Sequence, residues 1–213
     1  MVAGGPSGPR TGSGLQAGSS TLRHTLAMGD SPWRPTREQL DAARDRTIPD
    51  VWADDLAVVF VGINPGLYSG AVGHHFARPG NRFWKALHRS GFTDREWSPF
   101  EDRDLPTVGL GITNLVARTT ASAAELAPGE LRVGRDALEA KVARHPPRSL
   151  AILGITAYRV GFGRKDAVLG EQREDLANVP VWVLPNPSGL NAHHQLDDLA
   201  RRFGELRAGV GLR

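Results

Sequence analysis

Leu56-Ala-Val-Val-Phe-Val61 runs without a break into Gly62-Ile-Asn-Pro-Gly66. The first six residues are continuously apolar and rich in β-branched side chains, and a turn-forming pentapeptide stops them. A run of this kind fits a strand buried on both faces, as in a parallel sheet. Three further segments have the same character: Gly109-Leu-Gly-Ile-Thr-Asn-Leu-Val116, Leu150-Ala-Ile-Leu153 and Val179-Pro-Val-Trp-Val-Leu184. Helical patterns fall between them, over about 81–89, 129–144, 156–161 and 193–207. In the second, Leu131, Leu138 and Val142 share a stripe; in the last, Leu196, Leu199 and Phe203 do. Strands alternating with helices predict an α/β fold, a parallel sheet covered by helices through right-handed crossovers. Ligands in such folds bind beyond the carboxyl ends of the strands. Gly62–Gly66 lies at the end of the first strand, and Asn186-Pro-Ser-Gly-Leu190 at the end of the last.

Working outward, residues 1–33 are rich in Gly, Ser, Pro and Thr without apolar periodicity and read as a disordered tail. Met28 near its end is a candidate later start. Residues 34–213 are expected to form one folded domain, opening with a helix capped by Thr36 and Gln39 and running to about Arg46. The chain of 213 residues contains no cysteine, which excludes a disulfide framework, thiolate zinc sites, iron–sulfur clusters and a cysteine nucleophile. It suits a reducing, cytoplasmic setting, nucleoid-associated if the source is bacterial. No segment reaches the ~20 apolar residues of a membrane helix. Net charge is only +3. Its distribution says more: from Ala57 to Thr93 there is no Asp or Glu, while Arg78, Arg82, Lys85 and Arg89 lie in that window. This predicts a positive face of the kind nucleic acids bind.

In Gly62-Ile63-Asn64-Pro65-Gly66, two glycines allow close approach of a ligand, and Pro65 stiffens the turn. Asn64 then projects one acceptor and two donors from a rigid loop. It either orients a water or an amide edge, or simply caps a strand-to-helix turn. In the segment Asn186, Pro187, Ser188, Gly189, Leu190, Asn191, Ala192, His193, a stiff turn carries Leu190. That leucine is either a wedge for a base stack or a loop residue folded on the core. Phe76, in a Gly- and Pro-flanked loop, has the shape to stack on a base. Phe83, Trp84 and Leu87 share a helix face and are expected in the core. The histidine pairs at 74/75 and 193/194 suggest no metal site, because neighbouring side chains rarely face one ligand and no carboxylate is expected to complete a site. Gly-x-Ser-x-Gly, His-Glu-x-x-His and a strand-linked Gly-x-Gly-x-x-Gly are all missing.

Taken in order, Ile48-Pro-Asp50, Val58 through Leu67, Gly73-His-His, Pro79-Gly-Asn-Arg-Phe-Trp-Lys85, Gly91-Phe-Thr-Asp94, Gly111-Ile-Thr-Asn-Leu-Val116, Arg118-Thr-Thr120, Leu150 through Gly154 and Val181 through Leu190 resemble the mismatch-specific uracil-DNA glycosylase and thymine-DNA glycosylase family. The resemblance spans about residues 48–210. It implies a three-layer α/β/α sandwich with a central four-stranded parallel sheet, and a monofunctional, monomeric glycosylase with no metal and no cofactor. The implied partner is double-stranded DNA with a G·U or related lesion. Carried over by motif, Asn64 positions the hydrolytic water; Gly62, Ile63, Pro65 and Asn114 line the base pocket; Phe76 stacks on the flipped base; Gly189 and Leu190 enter the duplex. Some bacterial members have Lys at Asn114; Gly111–Asn114 with Arg118-Thr-Thr120 looks more like the thymine-DNA glycosylase branch. Others have Arg at Ala192, and His193 is a candidate to replace it. Asn64 is no strong base, so the reaction is expected to be slow, with Asp94, the first carboxylate downstream, as a candidate helper. The alternatives are a catalytically weak mismatch- or abasic-DNA-binding module, and a nucleotide-binding α/β protein that lacks its phosphate loop.

Overall fold

The computed structural model describes Met1 and residues 34–189 and 194–212. The chain divides after Arg34, and the unit from Pro35 onward carries every regular element among the described residues. Four strands, β1 (Val58–Gly62), β2 (Leu110–Asn114), β3 (Leu150–Leu153) and β5 (Val181–Leu184), pair in parallel, as their apolar runs predict. The sheet order is β2-β1-β3-β5-β4. The expected four-stranded sheet therefore needs one correction: β4 (Gly170–Glu171) adds a fifth, antiparallel strand beside β5. Two residues on an edge are too few to show strand periodicity, so no sequence pattern marks it.

Successive side chains of a strand point to opposite faces. Val58 and Phe60 lie with Phe83, Leu87, Leu199 and Phe203 in one core cluster; Val59 and Val61 lie with Leu131, Leu138, Val142 and Tyr158 in another. Helices α3 (Phe83–Arg89) and α6 (Leu196–Gly209) thus cover one face, and α4 (Pro128–Arg144) and α5 (Ile155–Gly161) the other, giving three layers. Phe60 is the hub of the first core. Phe83 and Phe92 meet it edge-on at 5.3 and 5.5 Å, and Phe203 stacks at 5.5 Å. The apolar stripe of α4 is buried as its spacing predicts; in α6 Leu199 and Phe203 are buried and Leu196 is partly buried against the same core.

The Thr36–Gln39 capping box forms, but α1 (Arg37–Asp41) ends before Arg46. A left-handed Asp45 (φ 61°) turns the chain instead. Three helical elements are not marked by periodicity: α2 (Leu67–Val72), a 3₁₀ segment over Pro99–Val108 capped by Ser98 and Glu101, and a 3₁₀ turn over Ala123–Glu125 capped by Ser122. The first two are placed by tertiary contacts. Because β1 has β2 on one side and β3 on the other, the chain reverses direction across the sheet at β1. A crevice opens at such a switch point, beyond the carboxyl ends of the strands.

Candidate active site

A cavity of about 600 Å³ occupies that crevice. This is within the ~300–1,000 Å³ range of small-ligand sites. Gly62, Ile63, Asn64 and Pro65 enter it from the end of β1, Asn114 from β2, Gly154 from β3, and Asn186 and Ser188 from beyond β5. Phe76 and His75 close another side.

The loops after β1 and β2 continue pairing past the sheet. Leu115 N–H donates to Gly62 O (2.8 Å), Val116 N–H to Ile63 O (2.9 Å) and Thr120 N–H to Pro65 O (3.1 Å). This brings Asn64 against residues 118–120. Asn64 Nδ2 donates to Pro65 O (3.1 Å), Arg118 O (3.1 Å) and Thr120 Oγ1 (2.7 Å). The Thr120 hydroxyl gives its own proton to Ser122 O (2.8 Å), so toward Asn64 it is an acceptor. Three acceptors around one amide end set its orientation. Oδ1 is the end that meets no protein donor among the described residues. Arg118 is itself tied down, donating to both carboxylate oxygens of Glu130 (2.6 and 3.0 Å) and to Asp45 (3.2 Å). The guanidinium holds the Glu130 carboxyl down to about 2.

Asn114 is oriented from the other side. His75 is buried, and its Nε2 faces Pro49 O at 3.0 Å, so Nε2 carries the proton. Burial pushes the imidazole below its ordinary pKa, which keeps it neutral. Nδ1 is then an acceptor, and Asn114 Nδ2 lies 3.4 Å from it. Asn114 Oδ1 comes so near Gly62 that a Cβ there would be 2.5 Å away, with Phe76 Cζ at 3.3 Å. Gly62 is small because an amide and a ring converge on it. Phe76 has a positive φ of 52°, a strained state for an aromatic residue. One of its faces stacks on Phe83, with centroids 4.2 Å apart and planes at 22°.

The structure thus brings together Gly62, Ile63, Asn64, Pro65, Phe76, Asn114, Asn186 and Ser188. Pro187 is buried behind this wall, and Gly189 is exposed beside it. Leu190, Asn191 and His193 lie outside the described residues, as does the tail over 2–33. Asp94 is exposed and does not line the cavity, so it is not brought to Asn64. Among the described residues no Asp or Glu lines the cavity. The His74/His75 pair diverges: His74 Nδ1 is 2.8 Å from Asp102, while His75 faces Pro49 O and Asn114; His194 pairs with Asp198. The basic window is partly neutralised. Arg89 pairs with Asp197 at 2.6 Å, whereas Arg78 and Lys85 are exposed. Sequence reasoning assigned no role to Thr120 or His75, and counted Arg82 only toward a positive face. Thr120 and His75 stood in quoted motifs, but their contacts cross 56 and 39 positions, which spacing does not report.

Fold and cavity define an α/β/α protein with a ligand crevice at its topological switch point. Residues 49–207 match the uracil DNA glycosylase superfamily, and the chain belongs to that superfamily of DNA-repair glycosylases. It is similar in fold to the solution NMR structure of a candidate uracil DNA glycosylase from Methanosarcina acetivorans. The two share 17% identity with a TM-score of 0.53, over 77% of this chain and 97% of that one. Among the described residues no helix is long and apolar enough to cross a membrane.

Proposed function

We propose that this protein is a monofunctional DNA glycosylase of the mismatch-specific uracil/thymine branch, acting as a monomer on duplex DNA and hydrolysing the glycosidic bond of uracil opposite guanine. The observation that carries this reading is Asn64. Its Nδ2 is spent on three acceptors at the end of β1, leaving Oδ1 to accept from a water in the cavity. Asn114 has one N–H and its Oδ1 for the base, matching the acceptor O4 and donor N3–H of uracil. Phe76, backed by Phe83, has its other face for stacking.

The nucleotide must leave the duplex to reach this cavity, at a cost of a few kcal/mol that is least for a mispaired base. Leu190 is the side chain proposed to fill the vacated space. Asn64 Oδ1 accepts one water hydrogen and turns the oxygen lone pair toward C1′. The C1′–N1 bond breaks with its electrons going to the uracil ring, the water oxygen bonds to C1′, and the released proton passes to solvent or to the base. Products are free uracil and an abasic site. Thymine and etheno-cytosine opposite guanine are further candidate substrates.

The test is a panel of single-lesion duplexes and single strands scored for free base and alkali-labile sites. Asn64→Ala should slow single-turnover release from G·U by roughly 100-fold, the scale of a misplaced reactant. If Asn64→Ala retains the wild-type rate, the mechanism is wrong; Asp94→Ala, outside the cavity, should keep that rate. A second reading is favoured by the lack of a carboxylate among the described residues lining the cavity: a weakly catalytic sensor of mismatched or abasic DNA. A band shift without base release would select it.

A further inference from the structure

Arg82 is spent on the protein rather than left for solvent. Its backbone N–H donates to Pro187 O at 3.0 Å. Its guanidinium donates through Nη2 to Ser188 O at 2.5 Å and through Nη1 to His194 O at 2.6 Å. Ser188 and His194 lie on either side of residues 189–193, and both line the cavity. One planar fork therefore holds the two described ends of the β5–α6 connection and ties them to the first turn of α3. Two neighbouring contacts reinforce the attachment. Ser188 N–H donates to Asn186 Oδ1 at 2.9 Å, and Gly189 packs so closely on the preceding turn that a Cβ would lie 2.5 Å from Gly80 O. The far end is anchored too, because His194 pairs with Asp198, which Arg201 also engages.

We propose that Arg82 is a positioning residue that fixes Ser188 and His194 as one rigid wall of the cavity, so that excision from duplex DNA depends on its fork geometry rather than on its charge. The proposal rests on the glycosylase reading above. A basic residue at a DNA-facing cavity has a simpler use, contact with a phosphate, and the two uses predict different variants. Lysine keeps the charge, but its three donors rotate about one nitrogen and lack the rigid planar fork in which two separate nitrogens meet two carbonyls.

The experiment compares wild type, Arg82→Lys and Arg82→Ala in the full chain. Three quantities are read: single-turnover uracil release from a G·U duplex, the salt dependence of duplex binding, and hydrogen exchange at the Ser188, Gly189 and His194 amides without DNA. Expected are a tenfold or greater rate loss in both variants, an unchanged salt slope, and faster exchange confined to those amides. Wild-type rate and exchange in Arg82→Lys, with the slope of log K against log salt reduced by about 0.9 in Arg82→Ala, would identify one lost phosphate contact and overturn the proposal. Unchanged rate and exchange in both variants would overturn it as well. Should the wild type release no uracil, the glycosylase reading fails by itself, and the exchange arm still decides whether Arg82 holds the wall. If both variants melt far below the wild type, Gly189→Ala takes their place. It pushes the same segment off Gly80 from an exposed position; rate loss and faster exchange support the proposal, and wild-type behaviour overturns it.

Discussion

At Asn64 the side-chain amide has donors facing three acceptors, and its chemistry follows from which end is left over. Thr120 contributes the shortest of the three contacts. Thr120→Val keeps the shape and removes the acceptor. It should lower single-turnover excision about tenfold, or ~1.4 kcal/mol of barrier, with duplex affinity retained; Thr120→Ser should restore the rate. His75 does for Asn114 what Thr120 does for Asn64, provided the imidazole stays neutral. Its pKa lies below the ordinary value through burial, partly opposed by Pro49 O, Asp102 and Asp50 and reinforced by His74. The unfolded chain therefore binds the proton more readily than the folded one. The contribution of His75 to stability is present above the unfolded value of about 6.5 and is lost as pH falls through it toward the folded value. Thermal melting from pH 7.5 to 5 should fall more steeply for wild type than for His75→Gln. Identical slopes would remove the histidine from the account.

Between elements, the site depends on how closely the ends of β1 and β2 approach each other. Gly62 and Asn114 are register partners, and the Asn114 amide leans over the glycine. Gly62→Ala would put a methyl 2.5 Å from Asn114 Oδ1 and 3.3 Å from Phe76 Cζ. Overpacking of this kind costs about 1–3 kcal/mol, to be read as a lower urea midpoint, and the displaced amide should abolish excision. Farther along, Arg118 ties the loop after β2 to Glu130 in the first turn of α4. The Glu130 carboxyl is held at about 2 by that guanidinium, with the Ala127 N–H helping. Its stabilising effect is present above the ordinary carboxylate value and is lost as pH falls from about 4.5 toward 2. Both partners are solvent-accessible, so salt weakens the effect. Glu130→Gln should flatten acid melting in that interval at low ionic strength, and a curve that superimposes on wild type would show that the pair is silent.

For the whole molecule, the two cores either side of the sheet hold the four parallel strand ends in one plane, and the cavity exists only while they do. Phe203 joins α6 to the sheet through its stack on Phe60 and is fully buried. Phe203→Ala should cost ~3–5 kcal/mol in equilibrium unfolding, and a loss under 1 kcal/mol would mean this face is loosely packed. Much of this architecture was legible beforehand. The apolar run at 56–61 and its three counterparts, alternating with amphipathic helices, specify a parallel sheet with covered faces, because only such strands are apolar on both sides. The loops at 62–66 and 186–190 could be placed at the ligand-binding edge for the same reason, and Asn64 was named from the first of them; Phe76 came from its own Gly- and Pro-flanked loop and Asn114 from the family resemblance. The edge strand β4 could not be read, since two residues carry no period. Asp94 looked close to the site because it is close along the chain, yet the turn after α3 leaves it exposed and away from the cavity. Conversely, Thr120, His75 and Arg82 became interpretable only once folding had set their partners 56, 39 and 106 or more positions away within hydrogen-bonding distance. Local patterns are set by which faces must be buried, so a chain displays its elements in its own order of residues. Amide orientation, the neutral state of a buried imidazole and the grip of one guanidinium on two carbonyls depend on groups distant in sequence, and those belong to the tertiary structure alone.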